Sequence, residues 1–190
     1  DRPADWKPPA ALKRFLASGE PPVYVGFGSM AGRDPQRVTG IVIDALQSVG
    51  LRGVLATGWG GLTSDGLPDT MFPLGDVPHD WLFPRMTAVV HHGGAGTTAA
   101  GLRAGRPTVI CPFFGDQPFW GWRVHELGVG SEPIPQKKLT AGRLAAALRQ
   151  VTALPVIRRN ADALGDKIRS EDGVANAIAV VEQLLPRNAA

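Results

Sequence analysis

The residues best placed to do chemistry form one run, His91-His92-Gly93-Gly94-Ala95-Gly96-Thr97-Thr98. It falls between a β-rich segment and a helical one, so its three glycines let backbone approach a ligand closely. The start of the helix leaves unpaired N–H groups and a partial positive charge, which suits a phosphate. Thr97 and Thr98 add hydroxyl donors, and a histidine at the strand end adds a ring N–H. The same residues would also serve a tight turn with capping threonines.

A second loop, Pro112-Phe113-Phe114-Gly115-Asp116-Gln117-Pro118, follows the next β-rich run. An acid beside an amide offers acceptors and donors to neighbouring sugar hydroxyls; Asp116 is equally suited to begin a helix as its N-cap. A third loop, Gly26 to Gly32, spaces its glycines G-x-G-x-x-x-G, near the dinucleotide fingerprint but not on it. The acid that would hold a ribose after the second strand is missing, since Ala56-Thr57-Gly58-Trp59 stands there. That disfavours a nicotinamide enzyme.

The elements that must position these loops alternate. Short β-rich runs are expected at 23–27, 53–57, 71–74, 88–92, 107–111 and 131–134. Between them Val38, Ile41, Val42, Ala45, Leu46 and Val49 fall at helical spacing, with Asp34-Pro35 as a start signal and Gly50 as a stop. Helices are also expected at 97–104, 117–127, 139–151, 156–169 and 174–185. This predicts an α/β fold: a Rossmann-like, doubly wound parallel sheet of about six strands with helices on both faces. Ligands of such sheets bind at the carboxyl ends of the strands, where the loops above lie. Residues 1–20, rich in proline around Leu12 to Leu16, read as a linker and short helix, and residues 21–190 as the domain.

Bulk properties constrain partners. The 190 residues carry a net charge of +3, 44% hydrophobic and 19% charged residues. Lys and Arg are scattered, which argues against nucleic acid. Cys111 is single, so no intramolecular disulfide or cysteine zinc site forms, and a buried thiol is expected. No secretory leader is evident, and no apolar run reaches the roughly 18 residues of a membrane span; a cytoplasmic setting is expected.

With the loops in order, the run HHGGAGTTAAGLRAGRPTVICPFFGDQPFWGWRVHELGVG (residues 91–130) resembles UDP-sugar-dependent GT-B glycosyltransferases, and the sterol 3-β-glucosyltransferases in particular. PPVYVGFGSM (21–30) and DVPHDWLFPRM (76–86) fit the same pattern, and the resemblance runs from about Asp5 to Ala147. It implies the carboxy-terminal, donor-binding domain of an inverting hexosyltransferase that uses UDP-glucose as co-substrate, without cofactor or metal. His92 would bond the diphosphate and assist its departure, with Gly28, Ser29, Gly94, Gly96, Thr97 and Thr98 around it. The Val77-Pro78-His79 stretch would read the uracil edge, and Asp116 and Gln117 the hexose.

The plant secondary-metabolite branch stacks a tryptophan on the base where Asp76 stands here, and holds the ribose with a glutamate where Ala100 stands. Trp81 or Phe83 could supply an aromatic face, or simply pack. In the family the catalytic base and most of the pocket for the lipophilic acceptor belong to an amino-terminal domain, outside this sequence, so the chain alone is expected to be inactive. The alternatives are a TDP-sugar transferase of antibiotic assembly and a non-catalytic nucleotide-binding module. Peripheral membrane association and a homodimer remain open. His91 reads as the end of a buried strand, and His125 as solvated. The apolar stripe Val174, Ile178, Val181 and Leu185 is expected to fold onto the chain's own sheet or to dimerise.

Overall fold

The computed structural model describes residues 5–28, 34–57, 62–64 and 66–184. Ser29 and Leu185 lie outside them. In chain order the elements are α1 (Ala10–Ala17), β1 (Val23–Gly26), α2 (Pro35–Ser48), β2 (Gly53–Ala56), β3 (Met71–Leu74), α3 (His79–Leu82) and β4 (Ala88–His91). There follow α4 (Ala95–Arg103), β5 (Thr108–Ile110), α5 (Gln117–Glu126), α6 (Ala141–Ala153), α7 (Pro155–Ser170) and α8 (Gly173–Leu184).

The strands form one parallel sheet in the order β3-β2-β1-β4-β5. Strands β1 and β4, VYVG and AVVH, are buried at every position, as expected where helices cover both faces. Alternation divides them between two layers. Val23, Val25 and Val90 join Val42, Leu46 and Leu148 on one side, while Tyr24, Val54 and Val89 join Leu12, Leu82 and Phe83 on the other. Asp34 starts α2 by accepting the Arg37 N–H at 2.9 Å, with Pro35 in the first turn.

Five strands stand where about six were expected. Along β5 the chain makes one isolated parallel bridge, Thr108 with Gly130. The Thr108 N–H donates to the Val129 carbonyl at 3.0 Å, and the Ser131 N–H to the Thr108 carbonyl at 3.3 Å. Two residues on, a ladder needs another donor, and Pro133 has none. Ile134 donates to the Ile110 carbonyl instead, at 2.9 Å, one residue out of step.

The opening segment is more than a linker. Leu12 is fully buried in the second layer. The Phe15 and Phe72 rings lie 5.4 Å apart, as do Trp6 and Trp81, and Arg52 stacks over Phe15 while donating to the Glu20 carbonyl at 2.9 Å. Helix α4 begins at Ala95, earlier than the expected Thr97, and residues 79–82 add the short helix α3.

Helix α8 departs most from expectation. Of the two expectations for its stripe, folding onto the chain's own sheet is not met, since Val174 is 72% exposed and Val181 54% within the chain. Both sheet faces are covered by other elements, α7 turns Ile157, Ala161 and Gly165 inward, and none of the described residues of α8 is buried. Val181→Glu is therefore expected to leave the melting temperature of this chain within about two degrees, since exposed substitutions stay within about 0.5 kcal/mol. A clear fall in a thermal melt would show that the stripe is covered.

Candidate functional site

The strand order reverses between β1 and β4, which opens a crevice at their carboxyl ends. Gly26 and His91 are paired neighbours there, so the loops that leave them lie side by side. The half-buried His92 imidazole fills the gap between them. Its Cε1 sits 3.6 Å from where a Cβ on Gly28 would be, and its Nε2 2.6 Å from one on Gly94, so a side chain at Gly94 would collide with the ring. Burial lowers the His92 pKa, and the Asp116 carboxylate pulls the other way. The ring is thus neutral near pH 7, and its Nδ1 is buried without a partner among the described residues.

Gly93 makes the turn into α4 with φ +94°, a conformation L side chains rarely adopt. A Cβ there would lie 2.7 Å from Ile110 Cγ2 and 3.1 Å from the Gln117 carbonyl oxygen. Gly94 is the N-cap and offers no side chain, so the N–H groups of Ala95, Gly96 and Thr97 have no carbonyl within the helix. These face the crevice as a ready anion site. Thr98 serves differently from the expected hydroxyl donor: it is buried, and both its N–H and its Oγ1–H donate to the Gly94 carbonyl at 2.9 Å. It holds the turn.

The second loop folds around Gln117, which is 8% exposed. Its Oε1 accepts the Phe113 N–H at 2.8 Å and the Phe114 N–H at 3.3 Å, leaving its amide nitrogen as the group with donors to offer. Asp116 occupies the N-cap position of α5 but makes no side-chain cap bond. Its carboxylate is exposed and accepts the Trp120 Nε1–H at 2.9 Å. At the far side of the sheet, Val77 is buried just beyond β3, and the His79 ring stacks on Phe83 at 4.3 Å. Burial lowers the His79 pKa, against Asp76 and Asp80. Phe83 is fully buried, whereas Trp81 lies between Trp6 and the Arg85 guanidinium, 4.3 Å from its ring centre. His125, expected to be solvated, has a buried Nδ1 without a hydrogen-bond partner among the described residues.

His91 ends the buried strand β4, as expected, but does more than end it. His91 is fully buried, and its Nδ1 accepts the Gly93 N–H at 3.0 Å. Burial, and after it the charges of His92 and His79, push its pKa down to about 3. A neutral histidine that becomes protonated on unfolding links stability to acid. Between pH 6.5 and 3 the unfolded state binds the extra proton, so stability falls as pH drops through that window, by up to about 1.4 kcal/mol per pH unit. Urea unfolding at pH 7 and pH 5 should show this slope, and His91→Asn should remove it; an equal slope in the variant would assign the effect elsewhere. Cys111 is inert by the same logic, its thiol buried and pushed up to about 12.

A family model described as "Erythromycin biosynthesis protein CIII-like, C-terminal domain" matches residues 57–184. The chain belongs to this family. Sterol 3-beta-glucosyltransferase UGT80A2 of Arabidopsis thaliana is 47% identical over 98% of the chain, which spans 29% of that protein's length. The Kluyveromyces lactis sterol 3-beta-glucosyltransferase is 42% identical over 95% of the chain and 16% of its own length. Among solved structures, the kitacinnamycin glycotransferase superposes with a TM-score of 0.77 at 26% identity, over 98% of this chain and 47% of that one. The calicheamicin glycosyltransferase CalG4, at 24% identity, shares the fold with a TM-score of 0.75, over 97% and 45%. As a CIII-like carboxy-terminal domain the chain is one half of a GT-B fold, and the expected α/β class holds.

Proposed function

We propose that the chain is the donor-binding half of an inverting glycosyltransferase that moves glucose from UDP-glucose to a hydroxyl of a lipophilic acceptor such as a sterol. The order of the loops along one sheet edge carries this reading. Val77 to His79 follow β3, Gly28 and His92 follow β1 and β4, and Asp116 and Gln117 follow β5. With strands about 4.8 Å apart, β3 and β4 are separated by roughly 14 Å, which suits a nucleoside on one side and a diphosphate on the other. The hexose then falls at the β5 loop. In the transfer, the acceptor oxygen bonds the anomeric carbon as the carbon–oxygen bond to the diphosphate breaks. The acceptor proton passes to a base in the part of the full protein that this chain does not span. His92 and the first N–H groups of α4 stabilise the charge growing on the departing UDP.

The sterol 3-beta-glucosyltransferase relatives favour the lipophilic acceptor; a cytoplasmic setting with peripheral membrane contact is part of the same proposal. The second reading is a TDP-sugar transferase of antibiotic assembly, supported by the match to an erythromycin biosynthesis protein CIII-like domain and by the likeness to the kitacinnamycin glycotransferase. Calorimetry on the chain with UDP, UDP-glucose and TDP-glucose separates them. Binding of UDP, with UDP-glucose tighter and no turnover, is the expected result. A preference for TDP-glucose would select the second reading, and absence of any nucleotide binding would sink both.

A further inference from the structure

We propose that His91 is a positioning residue for diphosphate recognition, its Nδ1 holding the Gly93 amide and so fixing the turn that presents His92 and the α4 N-terminus. The inference rests on the donor reading above.

The position of His91 is one that packing alone would fill with an apolar residue. It lies two residues after Val89 on β4, on the sheet face that carries Tyr24, Val54 and Phe83, and none of it is exposed. Burying an imidazole there takes two ring nitrogens from water, and Nε2 finds no partner among the described residues. The bond that accounts for the ring is the one at Nδ1, 3.0 Å from the Gly93 nitrogen. That amide belongs to the residue with φ +94°. Immediately after it come Gly94, whose lack of a side chain makes room for His92, and the open first turn of α4. A side chain that accepts the N–H two residues on is the arrangement of an Asx turn, here made by histidine. Because the ring is wholly buried, His91 touches no ligand; it acts through the turn.

The test compares His91→Phe, which keeps a somewhat larger aromatic ring and loses the acceptor, with His91→Asn, which loses volume and keeps an acceptor for the i+2 amide. Each is measured in the wild-type and His92→Ala backgrounds. The readouts are UDP affinity by calorimetry, Gly93 amide hydrogen exchange by NMR, and the melting temperature. His91→Phe should weaken UDP by about tenfold, the value of one well-made hydrogen bond, and should speed Gly93 exchange. His91→Asn should bind within about threefold of wild type even though its cavity lowers the melting temperature. In the His92→Ala background the penalty of His91→Phe should shrink, because part of what the turn presents is gone. A role in packing alone predicts the opposite ranking, with phenylalanine the milder change. Equal losses from Phe and Asn, or unchanged Gly93 exchange in His91→Phe, would overturn the proposal. Wild-type chain without UDP affinity would overturn the donor reading, while Gly93 exchange would still report on the clamp itself.

Discussion

His92→Ala should weaken UDP binding by roughly ten- to a hundredfold, about 1.5–3 kcal/mol for a hydrogen bond to a charged group. Asp116→Ala should leave UDP nearly unchanged, because Asp116 lies at the β5 loop, where the hexose would sit. It should instead erase whatever advantage UDP-glucose holds over UDP. The pH dependence has a definite sign. Burial holds the free His92 below its ordinary pKa, and a bound diphosphate raises it, so binding takes up a proton. Affinity should therefore rise as pH falls below 7, and the difference between wild type and His92→Ala isolates that rise from the titration of UDP itself. Calorimetry at pH 8, 7 and 6 measures it. Equal losses of UDP affinity from both substitutions would mean that the diphosphate lies elsewhere.

Leu12→Ala should cost about 2–5 kcal/mol, as for other fully buried leucines. Leu12 is 0% exposed and packs with Tyr24, Val54, Leu82 and Phe83, so its loss opens a cavity beneath β1 and β2. Urea unfolding of the two proteins at neutral pH gives the difference. A variant within about 0.5 kcal/mol of wild type would return residues 5–20 to the status of a linker.

That segment shows where sequence reasoning stops. Five prolines between Asp1 and Pro22 speak for a linker, and the pattern Leu12, Phe15, Leu16 is too short to show that a partner face awaits it. The alternating core was legible because buried strands such as VYVG and AVVH are continuous apolar runs bounded by glycine-rich turns. The crevice loops were legible because glycines between strand and helix have a physical purpose. The sixth strand failed on one missing N–H at Pro133, which a composition-based reading passes over. Thr98 failed because its hydroxyl has two possible uses, and the helix took it. His91 was read as the end of a strand, since an imidazole that accepts an amide two residues on leaves no signature beyond a histidine next to glycine.

Pro133 has a counterpart across the sheet. On β3 the Thr70 and Leu74 carbonyls accept from Gly53 and Thr57 of the β2 segment, so even-numbered residues face β2 and Pro73 faces outward. The β3 margin thus lacks a donor at Pro73, while the β5 margin is already occupied by residues 129–134, which bond Thr108 and Ile110. An extended segment of another molecule would meet a missing donor on one side and an occupied strand on the other. The sheet is thereby poorly suited to templating growth by added strands.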